Sequence, residues 1–511
     1  MCQSMEIVST EPKMDLYREA IVFITGATGF VGKALLEKLL WSFPQIKRIY
    51  MLIRPKGGIT AEQRFQNFLQ NGIFERLRSS YPERLKKIAF FPGNIEDDNF
   101  GLNELDRLEL CAQVNIIFHS AATVRFNECL KVAARVNSVA TYNLLEMCKE
   151  MPQLKSFLYV STAYCNPGRK YVDERIYPTL PPVDWLQFLT CTKKIPDEYL
   201  NRMADYIKGP HVNTYTFTKS IAEQIVNSYK DLIPIVIVRP SIVTAAYKEP
   251  YPGWIDNIQA ISGIMMEIGK GGISSILGDK NLICDIIPVD FVVNAMIMMV
   301  HKAQLGRWVK LLMRNVFFSI FIFRCSISIS NATSGVTNPI SWQRLGQLTM
   351  KWSRIYPTKR MIMFPNFKYR RSALKHEVAV WLLHFVPAIL MDLSTLVLKK
   401  KKRLVTPIAS KFRQACLAGS FFSLNEWIFK NRSRYYFKDL IENGTFPMLY
   451  WNLDELNYDD YVRRHMIGIN KYLHREKSTI NANKMHVTRV YWFWIFAHIF
   501  FYMLVAYVLM L

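Results

Sequence analysis

The stretch that decides the fold reads Thr25-Gly26-Ala27-Thr28-Gly29-Phe30-Val31-Gly32. An apolar run, 20–24, precedes it, and an apolar-periodic segment continues to Trp41, so the sequence predicts a strand, a glycine turn and a helix. The first glycine permits a tight turn, the second lets backbone N–H groups approach a pyrophosphate, and the third lets the helix pack closely on the strand. The stretch therefore predicts a dinucleotide site, with a purely structural glycine turn as the alternative. The candidate binding residues are Thr25, Gly26, Thr28, Gly29, Phe30 and Gly32.

The residues after the second predicted strand, 48–53, bear on the identity of the dinucleotide. An NAD site places Asp or Glu about 20 residues after the last glycine, where it binds the ribose 2′-hydroxyl. This chain has Arg54 and Lys56 instead, and two cations suit a 2′-phosphate. We therefore predict NADPH as the cofactor. The alternative is that both cations are ordinary solvated charges in a loop.

Further apolar strands alternate with helical segments along the chain. They are expected at 88–92, 115–119, 156–160 and 235–238. This alternation is typical of an α/β fold with a Rossmann-type doubly wound parallel sheet. The fourth strand ends where a nicotinamide ribose would lie, so Ala121 and Ala122 join the candidate cofactor site. We expect His119, in the same strand, to be a buried histidine whose hydrogen bonds are satisfied.

Candidate catalytic residues lie at the end of the fifth strand and in the helix after it. Tyr215 and Lys219 are four residues apart in a predicted helix and so share one face. An adjacent ammonium favours the phenolate, so we expect it to lower the pKa of Tyr215 from its usual value of about 10. Ser161 and Thr162 end the strand, and one of the two hydroxyls should bind the substrate oxygen. The residues alone do not choose between them, and a polar strand end without a catalytic role is the alternative.

Together these motifs resemble those of the alcohol-forming fatty acyl-CoA reductases, which are membrane-associated members of the extended short-chain dehydrogenase/reductases. The resemblance covers most of the chain and rests on residues 25–32, 52–56, 119–122, 160–164, 215–219, 238–241, 287–290 and 456–472. It implies a Rossmann-type domain followed by a mainly helical C-terminal domain. It also implies reduction of a long-chain acyl-CoA to the primary alcohol with release of CoA, in two hydride transfers from NADPH through an aldehyde.

The resemblance assigns roles to individual residues. Tyr215 and Thr162 would stabilise the oxyanion, and Tyr215 would protonate the alkoxide. Lys219 would tune the phenol and contact the ribose, and analogy with extended reductases favours Thr162 over Ser161. Two more residues, Pro240 and Asn94, join the expected cofactor site. The family usually has Asp in place of Asn94, and Asn can still donate and accept hydrogen bonds there.

The chain is expected to divide into five regions. They are an N-terminal tail (1–17), an NADPH-binding catalytic domain (18–300), the end of that domain with a linker (301–375), a fatty acyl-CoA reductase domain (376–477) and a transmembrane helix (488–511). Residues 307–330 depart from the family pattern and read as foreign sequence, which indicates a mis-joined gene model or a surface loop. The substrate cap is expected from 166–211 and 250–285, with Lys270 near a CoA phosphate.

Composition agrees with a large intracellular enzyme at a membrane. The 511 residues carry a formal net charge of +24, which favours anionic partners such as phospholipid surfaces and the phosphates of CoA and NADPH. No zinc-ligand spacing, recognition helix or aromatic RNA-binding motif accompanies this charge, so we expect neither a metal nor nucleic acid. The nine cysteines include no C-x-x-C, and the N-terminal residues lack an apolar signal core, so we expect a reducing compartment.

The C-terminal segment predicts attachment to a membrane. Residues 490–511 contain no charged side chain and begin with Tyr491, Trp492 and Trp494, as interfacial aromatic residues do. We expect a transmembrane helix in the endoplasmic reticulum or peroxisome membrane, with the catalytic domain facing the cytosol; burial in a soluble core is the alternative. A second apolar segment, 378–398, is expected to dock on the membrane or on the acyl tunnel. The basic run that follows it would then meet anionic headgroups.

Two other functions stay open at this stage. One is a membrane-bound NAD(P)-dependent dehydrogenase of a sterol or another hydroxylated lipid, which would lack the resemblance over 456–472. The other is a non-catalytic NADP-binding scaffold, against which the intact Thr162, Tyr215 and Lys219 argue. The expected partners are a long-chain acyl-CoA and a lipid bilayer, and the sequence is also compatible with a homodimer.

Overall fold

The computed structural model describes residues 16–316, 327–386, 388, 389, 392, 406–476 and 484–510. The strands of this part of the chain are β1 (Ile21–Thr25), β2 (Arg48–Ile53), β3 (Ile88–Pro92), β4 (Ile116–His119), β5 (Ser156–Val160), β6 (Tyr171–Val172), β7 (Ile235–Pro240), β8 (Ile242–Thr244), β9 (Ser275–Leu277), β10 (Ile286–Pro288), β11 (Ser328–Ala332), β12 (Lys368–Arg370) and β13 (Ile428–Phe429). The helices are α1 (Phe30–Ser42), α2 (Ala61–Leu69), α3 (Glu75–Ser80), α4 (Pro82–Leu85), α5 (Glu104–Gln113), α6 (Leu130–Ala134), α7 (Ala140–Cys148), α8 (Trp185–Lys194), α9 (Asp197–Arg202), α10 (Ala204–Lys208), α11 (Thr214–Ser228), α12 (Ala260–Lys270), α13 (Val289–Val316), α14 (Trp342–Ile355), α15 (Ala373–Val380), α16 (Thr406–Leu424), α17 (Ser433–Glu442), α18 (Tyr458–Gly468) and α19 (Lys484–Met510).

Seven of these strands form a parallel central sheet in the order β11-β7-β5-β4-β1-β2-β3. The chain order reverses between β1 and β4, where Thr25 lies opposite His119 in the register. Ligands of open α/β sheets bind at such a point, outside the carboxyl ends of the strands. The predicted doubly wound parallel sheet is therefore confirmed, and the glycine turn lies at its switch point.

Each face of the sheet carries an apolar core, because side chains alternate along every strand. In β1, Val22 and Ile24 belong to the core beneath α1 and α13, whereas Phe23 belongs to the core beneath α5, α7 and α11. The side chain of Asn213 caps α11 by accepting a hydrogen bond from Thr216 N. This cap and the second core fix the first turns of α11, which carry the candidate catalytic side chains.

The predicted strands agree closely with the observed ones. Strands β2, β3 and β5 have the predicted bounds, which were 48–53, 88–92 and 156–160. Strand β4 begins one residue later than predicted. The last strand, β7, continues past the predicted end to Pro240. This extension has a tertiary cause, since Arg239 and Pro240 pair with β11, a strand that the sequence analysis did not predict.

Residues 307–330, the expected foreign segment, divide among different environments. Residues 307–316 continue α13, residues 317–326 lie outside the described residues, and 328–330 begin β11 at the edge of the sheet. Ser330 is fully buried and pairs with Val238 of β7. The last residues of this segment therefore belong to the central sheet.

Segments that follow residue 300 pair and pack with the predicted catalytic domain, 18–300. Strand β12 pairs with β9 and β13 pairs with β6, each in a short parallel ladder. Helix α18 packs with α12 and α14 around a shared core that includes Tyr461 and Val462. The expected cap segment 250–285 and the expected C-terminal domain thus share one core.

The C-terminal segment forms a single helix, α19, and some of its described aromatic side chains pack on the rest of the protein. Tyr491 and Trp494 pack on Phe364, with ring centroids 4.9 and 5.9 Å apart, whereas Phe493 and Phe496 are exposed. A membrane span needs about 20 apolar residues. Among the residues that the structure describes, no helix is long and apolar enough to cross a membrane. The transmembrane helix predicted over 488–511 is therefore not supported.

Other membrane predictions fall partly outside the described residues. Residues 1–15 of the expected tail, residue 511 and the basic run 399–403 all lie outside them. Of the second apolar segment, residues 378–386, 388, 389 and 392 are described; they include the end of α15 and the π turn Trp381–Phe385, in which Trp381 and Leu382 are exposed.

Candidate active site

The glycine turn after β1 forms a cradle of bare backbone. Gly26 has a φ of +72°, which side chains rarely adopt, and a Cβ there would lie 2.7 Å from Ala121 N. A Cβ on Gly32 would overlap Gly26 O, so the third glycine lets α1 approach the turn. Thr28 and Gly29 are exposed at the N-terminus of α1, where free N–H groups and the helix dipole favour an anion. The cradle therefore fits the pyrophosphate of a dinucleotide.

Thr25 and His119 join this turn to the neighbouring strand. Thr25 Oγ1 is hydrogen-bonded to His119 Nδ1 at 2.7 Å and accepts a hydrogen bond from Ala121 N at 3.3 Å. His119 Nε2 is hydrogen-bonded to Thr141 Oγ1 at 2.9 Å, and burial lowers the pKa of His119 to about 3. The prediction of a satisfied buried histidine is confirmed. His119 holds the Thr25 hydroxyl, which in turn fixes the backbone before the half-buried Ala122.

The predicted phosphate-binding cations lie at the exposed end of β2. Arg54 Nη1 pairs with Glu96 Oε1 at 3.0 Å, and the Arg54 side chain is 49% exposed. Arg64 Nη1 donates to Arg54 O, and Lys56 is exposed. Both cations are thus near the end of the second strand, as predicted, but Arg54 is paired with an acid that the sequence analysis did not consider.

Asn94 shapes the loop after β3. Its N–H donates to Phe100 O at 2.8 Å, and its Nδ2 donates to Asp97 Oδ1 at 3.2 Å. The preceding Gly93 has no room for a side chain, because a Cβ there would overlap the backbone oxygen of Phe100. The described contacts of Asn94 are therefore those of a residue that holds the backbone of this loop.

Tyr215 and Thr162 meet at the carboxyl end of β5. The Thr162 hydroxyl lies beside the Tyr215 phenol, and Thr162 Oγ1 accepts a hydrogen bond from Tyr164 N at 3.3 Å. Ser161 is 3% exposed, and its Oγ is buried without a hydrogen-bond partner among the described residues. Of the two hydroxyl residues that the sequence left open, the structure thus brings Thr162 to the Tyr215 phenol.

Lys219 lies one helical turn after Tyr215 and its ammonium points at β5. Its Nζ donates to Val160 O at 2.6 Å and lies 4.6 Å from the centroid of the Tyr159 ring. Burial raises the pKa of Tyr215 above its ordinary value, and the neighbouring Thr162 hydroxyl offsets this only in part. The predicted lowering of the Tyr215 pKa by Lys219 is therefore wrong, because desolvation of the phenol sets the direction of the shift.

A buried ion pair that the sequence analysis missed lies next to Lys219. Glu223 and Arg239 pair through two hydrogen bonds of 2.7 and 2.6 Å, and Cys165 Sγ donates to Glu223 Oε1 at 3.3 Å. Burial lowers the pKa of Lys219 to about 7, and the Glu223 carboxylate opposes this shift. The signal in the sequence was the spacing of Tyr215, Lys219 and Glu223, which places three polar residues on one face of a helix.

The remaining predicted residues lie at the borders of the site. Pro240 is buried at the carboxyl end of β7. Phe30 begins α1 and stacks on Trp254, with ring centroids 5.1 Å apart. Lys270 pairs with Glu267 at 2.5 Å within α12, so its charge is engaged inside the cap segment.

Comparisons with known proteins agree on one family. Two family profiles described as male sterility protein match this chain, an NAD-binding one over residues 24–296 and one named Sterile over residues 383–476. Fatty acyl-CoA reductase 1 of Rattus norvegicus is 32% identical over 481 residues, which cover 93% of this chain and 89% of that protein. Fatty acyl-CoA reductase 2 of Bos taurus is 30% identical over 475 residues, or 92% and 88% of the two chains.

Solved structures show the same architecture at lower identity. The terminal R domain from the myxalamid PKS-NRPS biosynthetic pathway matches with a TM-score of 0.55 and 17% identity, over 90% of this chain and 92% of that one. The reductase domain of a nonribosomal peptide synthetase from Mycobacterium tuberculosis matches with a TM-score of 0.55 and 15% identity, over 89% and 92%. These structures show the fold alone. Because the sequence relatives match nearly the whole chain at about a third identity, the protein belongs to the fatty acyl-CoA reductase family of oxidoreductases.

Proposed function

We propose that the protein reduces a long-chain fatty acyl-CoA to the primary alcohol and releases CoA, with two equivalents of NADPH and an aldehyde intermediate. The observation that carries the proposal is that the Tyr215 and Thr162 hydroxyls lie beside each other at the sheet edge that also holds the glycine cradle. The names of the relatives, fatty acyl-CoA reductases 1 and 2, support the substrate class. Arg54 and Lys56 at the end of β2 support NADPH over NADH.

Several groups would hold the cofactor. The N–H groups at the start of α1 suit the pyrophosphate, Arg54 and Lys56 suit the 2′-phosphate, and Lys219 suits the nicotinamide ribose. When bound, NADPH supplies the hydride. The Lys219 ammonium would exchange its hydrogen bond with Val160 O for one with a ribose hydroxyl, which is a local side-chain movement.

A thioester carbonyl can be reduced at this place because two hydroxyl donors converge there. Tyr215 Oη and Thr162 Oγ1 would both donate to the carbonyl oxygen, on which negative charge grows as the hydride adds. Donors that are already oriented stabilise this charge without reorganisation. Burial raises the pKa of Tyr215, so the phenol is protonated at neutral pH and begins each reduction as a proton donor.

The two reductions use the same donors in turn. Tyr215 gives its proton to the first oxyanion, and the hemithioacetal returns that proton to Tyr215 as its C–S bond breaks and the CoA thiolate leaves. The aldehyde oxygen then takes the same place between Tyr215 and Thr162. After the spent cofactor is exchanged and the second hydride is transferred, Tyr215 protonates the alkoxide, the alcohol is released, and the Tyr215 phenolate takes up a proton from solvent.

The proposal is tested in microsomes that contain the full-length chain, NADPH and palmitoyl-CoA. Fatty alcohol, free CoA and oxidised cofactor are counted, and we expect about two NADPH consumed per CoA released. The Tyr215→Phe variant should have a kcat/KM about 10²–10⁴-fold lower than the wild type, as expected for removal of a proton donor, and should still bind NADPH. Tyr206→Phe is the matched control, because that side chain is 85% exposed.

Each other outcome has a defined meaning. Aldehyde without alcohol would limit the protein to a single reduction. A wild-type chain that binds NADPH but releases no CoA would overturn the proposal. In that case turnover of sterols and other hydroxylated lipids with NADP⁺ would separate the dehydrogenase alternative from a scaffold. Parallel assays with NADH, and with Arg54→Ala, test the choice of cofactor.

We also propose that the protein works at the endoplasmic reticulum or peroxisome membrane, with its catalytic domain in the cytosol. The formal net charge of +24 and the exposure of Phe493 and Phe496, at 70% and 63%, support contact with an anionic lipid surface. A fluorescent fusion imaged with markers of both organelles tests the location. Truncation before Lys484 should release the protein from membranes, and retention would contradict this role of α19.

A further inference from the structure

A file of aromatic rings connects Tyr215 to the C-terminal part of the chain. The ring centroids of Tyr215 and Phe126 are 6.2 Å apart. Phe422 stacks on Phe126 with a centroid distance of 5.4 Å and an angle of 29° between the ring planes. Phe126 follows β4 in the catalytic domain, whereas Phe422 belongs to α16. Rings from two distant parts of the chain therefore border the candidate active site.

Buried neighbours hold Phe422 in place. Tyr164 packs edge-on against the Phe422 ring at 5.0 Å, and Trp427 packs edge-on against Tyr164 at 5.3 Å. The next residue, Ser423, donates from Oγ to a backbone carbonyl of β9 at 2.6 Å. Tyr164 and Trp427 are buried, whereas Phe126 and Phe422 remain partly exposed. Phe126 and Phe422 thus form an apolar surface that is packed against buried rings, and we call these two residues the aromatic wall.

The aromatic wall lies beside the position of the reacting carbonyl. A carbonyl oxygen held by Tyr215 and Thr162 would sit about 2.6–3.2 Å from each hydroxyl. Phe126 borders Tyr215. Tyr164, which contacts Phe422, is two residues from Thr162 and so at most about 7 Å away along the backbone. The first carbons attached to the carbonyl would therefore meet the two rings.

We propose that the aromatic wall of Phe126 and Phe422 binds the first several carbons of the acyl chain and excludes substituents on them. The enzyme then prefers straight acyl chains to those methylated next to the carbonyl. This inference rests on the acyl-CoA reduction proposed above. Phenyl rings carry no polar atom, so they pack on methylene groups and offer no hydrogen bond to a hydroxylated chain. A pocket of fixed shape discriminates a single carbon by about 10–200-fold.

The test compares palmitoyl-CoA with 2-methylpalmitoyl-CoA in the full-length protein. The wild type should favour the straight chain in kcat/KM by more than about tenfold, and Phe422→Ala should reduce that ratio by about tenfold. Phe412→Ala is the matched control, because Phe412 lies ten residues earlier in α16 and its described ring contact is with the Lys270 ammonium. It should leave the ratio within about twofold of the wild type. The ratio of octanoyl-CoA to palmitoyl-CoA should stay unchanged in Phe422→Ala, since the wall lies near the carbonyl and not at the chain end.

A second variant separates a change in selectivity from a general defect. Phe126→Ala removes the other ring of the wall from a different region of the chain and should shift the ratio in the same direction. Unfolding temperature and NADPH affinity are measured for each variant. An unchanged ratio in folded Phe422→Ala and Phe126→Ala, with an active wild type, would overturn this inference alone. A wild type that reduces neither acyl-CoA would overturn the proposed function and this inference with it.

Discussion

Burial, more than the nearest charge, sets the protonation state of side chains in the candidate active site. Burial raises the pKa of Tyr215 and lowers the pKa of Lys219 to about 7, although the two residues share one helix face. It also keeps His119 neutral. The spacing of Tyr215 and Lys219 could be predicted because helix geometry is local. Their desolvation could not, because it depends on β5 and on the turn after it.

The pair of Glu223 and Arg239 yields a prediction about stability. Glu223→Gln is expected to lower the free energy of unfolding by about 3–5 kcal/mol, because it leaves the Arg239 guanidinium buried without a counter-charge. Replacement of both residues by Met should cost less than the single change, since no buried charge is then left. Urea unfolding of the detergent-solubilised chain, followed by fluorescence, measures both. Equal stability of the single variant and the wild type would contradict the pairing.

At the scale of secondary-structure elements, local sequence pattern was enough to predict some strands, whereas another forms only because it pairs with a neighbouring strand. Strands β2, β3 and β5 were predicted to the residue, because apolar runs bounded by polar residues are a local signal. Strand β11 escaped prediction, since it holds one large apolar residue, Ile329, among small and polar ones. It is a strand because β7 offers unpaired backbone groups along its edge.

The contact between α1 and the glycine turn can be tested with one methyl group. Gly32→Ala should weaken NADPH binding by more than tenfold and destabilise the fold by about 1–3 kcal/mol, because its Cβ would overlap Gly26 O. Gly419→Ala in α16 is the control, since a Cβ there meets nothing within 4 Å. The free energy of unfolding of that variant should be about 1 kcal/mol higher than that of the wild type, because alanine has a higher helix propensity than glycine. Thermal unfolding and titration of NADPH fluorescence measure the two effects, and normal cofactor affinity in Gly32→Ala would contradict the cradle.

At the scale of the whole molecule, the C-terminal region completes the catalytic domain. Tyr461 of α18 is fully buried, and its hydroxyl donates to Ala245 O and is hydrogen-bonded to Thr244 Oγ1, each at 2.6 Å. Phe422 reaches the candidate active site from α16. The domain boundaries drawn from the sequence therefore divide segments that share their packing.

The Tyr461 hydroxyl provides a test of this connection. Tyr461→Phe is expected to destabilise the protein by about 1–3 kcal/mol, because Ala245 O and Thr244 Oγ1 then lose a buried partner. Tyr199→Phe is the control, since that side chain is 59% exposed. Limited proteolysis and thermal unfolding should show the catalytic and C-terminal regions loosening together. Independent unfolding of the C-terminal region, with the catalytic region unaffected, would contradict the shared packing.

The sequence by itself determined the parallel sheet, the glycine turn, the positions of Tyr215 and Lys219 on one helix face, and the family. These features depend on residues close together in the chain, where apolar period, glycine spacing and helix geometry act directly. Only the tertiary structure decided that Thr162, rather than Ser161, meets Tyr215 and that Phe422 borders the site. Such contacts join residues far apart in sequence, and desolvation and packing act only once the chain has brought those residues together.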